Sequence, residues 1–375
     1  MFDEVTGQGE AIAIVRDAVA ADTPAHAWLI TGPPGSGRST LAYAFAAALI
    51  ARPGEENEVR AQVKARTHPD LRVLATEGVN IRIEAVRDAV RDASYSPSSG
   101  RFRVLIVEDA DRMTERTSNV LLKALEEPPP RTVWILCAPT ESDLLPTIRS
   151  RVRPLRLRVP DVDEVAALIE QRDGVPRPDA LRAAREAQSH VGMAHRLATS
   201  SEARERWART LQLALQVRSV SGAVLAAAEL HDMAKQDAEA VSTTRAASER
   251  EALLRSLGVE EGQAVPPSLR SHVSAMEDEH KRRATRSVRD GIDRILVDLQ
   301  SLYRDVLLIQ LRAGLEPINL AIHADLEQAA AAATPQETLA TLDAIAEARR
   351  RIDGNVSPVL ALEAMLVSAV RRQAR

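Results

Sequence analysis

Apolar residues recur along this chain in two rhythms, and the change from one to the other divides it. Ile12, Val15 and Val19 fall at helical spacing and predict a helix within residues 5–22. Ala27-Trp28-Leu29-Ile30-Thr31 is a short apolar run halted by Gly32-Pro33-Pro34-Gly35, as a buried strand entering a loop would be, and a helix is predicted from there through Leu41 to Ile50. A further helix at Ile83–Ala93 leads to an apolar strand, 102–107, which ends in Glu108-Asp109-Ala110-Asp111. Another helix, 118–127, stops at Pro128-Pro129-Pro130, and a third strand is predicted over Thr132–Cys137. Strands separated by helices of this length require parallel pairing with helices on both faces.

Beyond Pro160 strand patterning ceases. Short helices are predicted between Val162 and Thr199, and long ones from Glu202 onward, with polar connections near Ser256–Ser268 and Thr334–Gln336. The alanine run Ala329–Ala333 reads as part of a helix. The stripe Ile295, Leu299, Leu302, Val306, Ile309 is expected to be mainly internal core, so that only part of this half faces partners.

Composition narrows the class of protein. With 375 residues, 45% hydrophobic and 27% charged, two or three domains are expected, and 2% aromatics favour packed helices over an all-β fold. A net charge of -4 argues against coating DNA by bulk electrostatics. The lone Cys137 excludes a disulfide framework and a cysteine-rich zinc site. No apolar run is long enough for a membrane span, and the acidic start lacks the features of a signal peptide, so a cytoplasmic protein without membrane partners is expected. Lysine is confined to Lys64, Lys123, Lys235 and Lys281, so the other basic side chains are arginines.

Candidate chemistry gathers at Gly32-Pro33-Pro34-Gly35-Ser36-Gly37-Arg38-Ser39-Thr40, placed between strand and helix as a phosphate-binding loop must be. Gly32, Gly35 and Gly37 would free backbone amides to cradle phosphates, and Ser39 would ligate Mg²⁺. Arg38 stands where the pattern carries lysine. A planar guanidinium does not replace a compact ammonium between phosphates, so hydrolysis is expected to be lost or very weak while binding survives. The acids at the strand end, Glu108 then Asp109, invert the working Asp–Glu order and misplace both groups by about a methylene, an error of ~1 Å that costs on the order of a hundredfold. Two plainer readings stand beside these: a glycine-rich turn with no ligand, and carboxylates that only cap the next helix.

With Val5-Thr6-Gly7-Gln8, His26-Ala27, His68-Pro69-Asp70, the run Asn119 to Pro129, the run Leu144 to Arg151, and the run Asn355 to Glu363, the chain resembles clamp-loader subunits of the AAA+ class, most closely the delta-prime family of bacterial DNA polymerase III. The resemblance implies a P-loop NTPase parallel sheet over residues 1–159, a helical lid over 160–203 and an all-α oligomerising collar over 204–375. It implies a largely ATPase-inactive member of a heteropentamer. The other clamp-loader subunits, of gamma/tau and delta types, are the expected partners, with the sliding clamp and primer-template DNA reached through the complex. Arg151, in Ser150-Arg151-Val152, is the implied arginine finger acting in trans, although the cysteine that usually follows is replaced by Val152. Arg149, Arg153, Arg156 and Arg158 are read as a solvated basic strand.

Three further departures follow from the same likeness. The four zinc cysteines common in the family are missing from 52–67, so no zinc is expected. Ala138 stands at a sensor position often occupied by Thr, and His195, after Gly192, stands where other loaders place a lid arginine. No cofactor is required on this reading, and ATP or ADP with Mg²⁺ is held weakly if held. The rival functions are a catalytically active AAA+ ATPase, as motor subunit or stand-alone remodeller, and a small-molecule P-loop kinase, for which the helical half offers no acceptor signature.

Overall fold

The computed structural model describes residues 1–21, 23–75, 80–256 and 270–373. It divides into two compact units, Met1–Ser200 and Ser201–Arg375.

The first unit is built on a five-stranded sheet. Strands β1 (Ala27–Thr31), β2 (Leu71–Leu74), β3 (Arg103–Val107), β4 (Thr132–Ala138) and β5 (Arg153–Arg156) lie in the order β2-β3-β4-β1-β5. Every pairing is parallel, with Leu29 opposite Leu136 on one side and Pro154 on the other. Side chains alternate across a strand, and both faces here are buried. Trp28, Ile30, Ile106, Ile135 and Cys137 pack on one face with α1 (Gly9–Ala20), α2 (Arg38–Ile50) and α3 (Glu56–Lys64). Leu29, Leu105, Val107, Trp134 and Leu136 pack on the other with α4 (Ile83–Ala93), α5 (Glu115–Glu126) and α6 (Pro146–Arg149). Fully burying each such side chain contributes roughly 1.5–3 kcal/mol. Trp28 meets Phe45 of α2 edge to face at 5.2 Å, which fixes that helix over β1.

Two strands and one helix lie where no apolar run announced them. β2 has only Leu74 buried, and in β5 only Leu155 is buried, with Pro154 tolerated because this is an edge strand. α3 buries only Val59 and Val63. The helix predicted at 118–127 begins earlier, at Glu115, because the Thr114 hydroxyl accepts from the Thr117 amide and caps it. Three helices complete this unit, α7 (Val162–Asp173), α8 (Arg177–Glu186) and α9 (Val191–Thr199).

The second unit is helical throughout its described residues: α10 (Ser201–Gln216), α11 (Val220–Ser256), α12 (Arg270–Gln310), α13 (His323–Ala332), α14 (Pro335–Asp353) and α15 (Pro358–Gln373). α10 starts at Ser201, so the compact units part slightly before the 203/204 boundary drawn from sequence. In the stripe on α12, Ile295, Leu299, Leu302 and Val306 are buried and Ile309 is half-buried. Thr334 caps α14 by accepting from the Glu337 amide. The polar connection predicted near Ser256–Ser268 lies, past Ser256, outside the described residues. No helix among the described residues is long and apolar enough to cross a membrane.

Candidate nucleotide site

The C-terminal ends of parallel strands leave backbone amides of the following helices facing one crevice, and here β1 delivers the glycine loop into it. Gly35 and Gly37 adopt φ of 85° and 91°, a region that favours glycine, so this turn needs them. Gly35 is also held by close approach, because a Cβ there would lie 2.6 Å from the ring of His190. The loop is pinned at both ends of its path. The Gly32 amide donates to Pro139 O at 3.1 Å, and Gln8 Nε2 donates to Ser36 O at 3.1 Å and Arg158 O at 2.8 Å, while Arg158 N donates back to Gln8 Oε1. Gln8 therefore ties the loop to the segment after β5.

Helix α2 begins with Arg38 and has no acid in its first turn and no side-chain cap, which leaves its amides and its positive end for an anion. Ser39 is exposed and Thr40 half-buried at this helix start. Arg38 Nη1 and Ser36 Oγ are buried without a hydrogen-bond partner among the described residues. The Arg38 charge acts on both Asp111 and Cys137. Burial raises the Asp111 carboxyl above its ordinary value and the like charge of Asp109 adds to this, against Arg112 and Arg38. Burial likewise pushes the Cys137 thiol to about 12.

Glu108 is engaged by two neighbours through one oxygen. Its Oε1 accepts from Tyr43 Oη at 2.6 Å and from Arg66 Nη2 at 2.8 Å, and the Arg66 guanidinium lies 5.3 Å from the Tyr43 ring centroid. Burial, followed by the adjoining Glu108 charge, raises the Tyr43 hydroxyl well above the usual phenol range. The chain folds this way because Tyr43 is four residues past Ser39, on the same face of α2. Arg66 sits in a left-handed turn, φ 59°, after α3.

The parallel order β3-β4-β1 sets the loop Gly32–Thr40 and the acids Glu108 and Asp109 at the same edge of the sheet, past the strands on either side of β4. Arg151 is held elsewhere, on Glu126 Oε1 at 2.7 Å, Thr147 O at 2.8 Å and Ser150 Oγ at 3.1 Å. Of its arginine neighbours, Arg153 stacks 4.8 Å over Trp28, Arg156 pairs with Glu141 and Arg158 with Glu164, while Arg149 is exposed. His195 pairs with Asp173 at 2.8 Å, and the histidine against the loop is His190. Tyr43, Arg66 and His190 escaped the sequence reading. The spacing of Tyr43 from Ser39 could have flagged it, whereas nothing local marks Arg66, whose reach depends on a turn far from the loop in sequence.

The sheet order and the glycine loop after β1 define a P-loop fold of the AAA+ class. Residues 7–161 match the family described as DNA polymerase III, delta subunit. The DNA polymerase III subunit delta' of Pseudomonas aeruginosa is 41% identical over 135 residues, covering 34% of this chain and 41% of that protein. Its Escherichia coli counterpart is 34% identical over 167 residues, covering 42% and 50%. A solved DNA polymerase III gamma subunit-related protein from Thermotoga maritima superposes with a TM-score of 0.46 and 18% identity, covering 97% of this chain and 99% of that one. The likeness to delta-prime subunits of DNA polymerase III that the motifs carry is therefore borne out in the sheet-bearing region, and the chain spans half or less of the length of these curated relatives.

Proposed function

We propose that this chain serves as a delta-prime-like subunit of a DNA polymerase III clamp loader, working in the cytoplasm with gamma/tau- and delta-type subunits in a ring of five. On this reading it hydrolyses little or no ATP itself, lends Arg151 to a neighbour's nucleotide, and helps place the sliding clamp on primed DNA. The observation that carries the reading is the state of its own site: Arg38 replaces the lysine that follows the loop pattern, and Glu108 is bound to Tyr43 and Arg66. Glu108 Oε1, in the metal-holding position, is taken up by a cation and a phenol, and Asp109, in the water-activating position, is shorter than the usual Glu by a methylene. Arg151 suits a role in trans, because a part-exposed ion pair such as Arg151–Glu126 is worth only ~0–1 kcal/mol and is readily exchanged for a phosphoryl oxygen.

The experiment is phosphate release by the isolated chain and by a loader reconstituted from gamma/tau- and delta-type subunits. The isolated chain should turn over far below ~1 s⁻¹. In the loader, Arg151→Ala should leave assembly intact and lower bulk hydrolysis only in part. A finger is worth ~10³–10⁵ at its own site, and the remaining sites keep theirs. Turnover near ~1 s⁻¹ by the isolated chain would support the rival favoured by the intact glycine loop, an active ATPase.

A further inference from the structure

This inference rests on reading the glycine loop as a nucleotide site and concerns what balances the phosphate charge there. A phosphate loop ordinarily works with a divalent cation held by the serine hydroxyl and a strand-end acid. Magnesium asks for oxygens at about 2.0–2.1 Å in near-octahedral geometry, with lone pairs free to turn toward it. The acid in that position, Glu108, has Tyr43 Oη at 2.6 Å and Arg66 Nη2 at 2.8 Å on the same oxygen, and only 15% of its side chain is exposed. Arg66 is placed by backbone as well as by charge: its amide donates to Val63 O, that of Thr67 donates to Gln62 O, and its guanidinium lies over the Tyr43 ring. From the loop side, Arg38 opens α2 with its Nη1 buried and unpartnered among the described residues. A metal held through Glu108 Oε1 would displace Arg66 from it.

We propose that this site takes the polyphosphate of a nucleotide without a divalent metal. Arg66 cancels the Glu108 charge that would otherwise repel the phosphates, and Arg38 supplies the positive charge that the metal supplies elsewhere. Arg66 is thus a positioning residue that sets metal dependence, at a distance of 42 residues along the chain from the acid it covers.

The test is isothermal titration of the full chain with ATP, in excess EDTA and again in millimolar MgCl₂. The wild-type dissociation constants should agree within about threefold, whereas Arg66→Ala, which uncovers Glu108, should bind about tenfold or more tightly with MgCl₂ than with EDTA. Should Arg66→Ala not fold, Arg66→Gln, which keeps much of the stem against Tyr43 but no charge, reads the same quantity. Wild-type affinity that rises tenfold or more with MgCl₂ overturns the proposal and would place the metal on Asp109 and Asp111 instead. A folded Arg66→Ala chain as indifferent to MgCl₂ as the wild type removes Arg66 from the explanation. If a folded wild-type chain binds no ATP in either buffer, the nucleotide reading itself fails and this inference falls with it.

Discussion

Asp70 is fully buried, and its oxygens accept from the amides of Ser98, Ser99 and Gly100 at 2.6, 2.9 and 2.7 Å, from the Ser98 hydroxyl at 3.0 Å and from Arg103 at 3.2 Å. Burial alone would raise this carboxyl, but the amides of Gly100, Ser98 and Ser99 outweigh it and hold it at about 2. His68, two residues earlier, accepts from the Asp70 amide at 3.0 Å, so the His68-Pro69-Asp70 motif closes on itself and clamps the loop ahead of β3. Because the folded value lies below the unfolded one of ~3.9, the group stabilises the fold above that pH and loses its contribution as pH falls through about 2, on the order of 2–3 kcal/mol. Asp70→Asn turns an amide donor toward amide donors and should cost roughly 2–4 kcal/mol at neutral pH. Urea titrations followed by tryptophan fluorescence should show the gap from wild type narrowing between pH 4 and pH 2. A gap that stays constant over that range would show that the carboxylate charge is not what holds the loop.

At the scale of elements, α12 carries a similar device in the second unit. Asp305 is fully buried, and its Oδ2 accepts from both the amide and the side-chain Nδ2 of Asn319 at 2.8 Å, while Oδ1 accepts from Arg304. Asn319 is itself buried and also donates to Ser301, so the segment that leaves α12 is drawn back against it. Asp305→Ala leaves the Asn319 amide without its acceptor and its Nδ2 with Ser301 alone, and should destabilise by ~3 kcal/mol. Amide exchange should then quicken most over 311–322, and unchanged protection there would refute the tether. No such pairing was legible in the sequence, since a buried Asp on a long helix looks like any solvated acid. What was legible is what apolar periodicity encodes: Ala27–Thr31 and Ile83–Ala93 stand as predicted, because each is a run of one period bounded by breakers. β2 and β5 were not, because edge strands with one buried side chain carry almost no pattern, and α3 is charged on most of its faces. The candidate site divides the same way. Its glycines, Arg38 and the strand-end acids are contiguous motifs, whereas Arg66 and His190 reach the site only through tertiary packing.

Over the whole molecule, the contacts that shape the nucleotide site fall within one compact unit. Gln8, the loop, Tyr43, Arg66, Glu108, Arg158 and His190 all lie within Met1–Ser200, and so do the two clusters that cover the sheet faces. On the proposed reading this unit should fold and bind nucleotide without the helices that follow, because both sheet faces are buried by its own helices. A chain ending at Ser200 should unfold cooperatively on heating and bind ADP with an affinity within about threefold of the full chain. Assembly belongs to the other unit on the proposed reading, so the same truncation should fail to co-purify with gamma/tau-type subunits. Gel filtration of the mixture separates these outcomes. If the shortened chain still enters the complex, the sheet-bearing unit alone makes the ring contacts and the helical unit does something else; if it loses ADP while remaining folded, the site extends past Ser200.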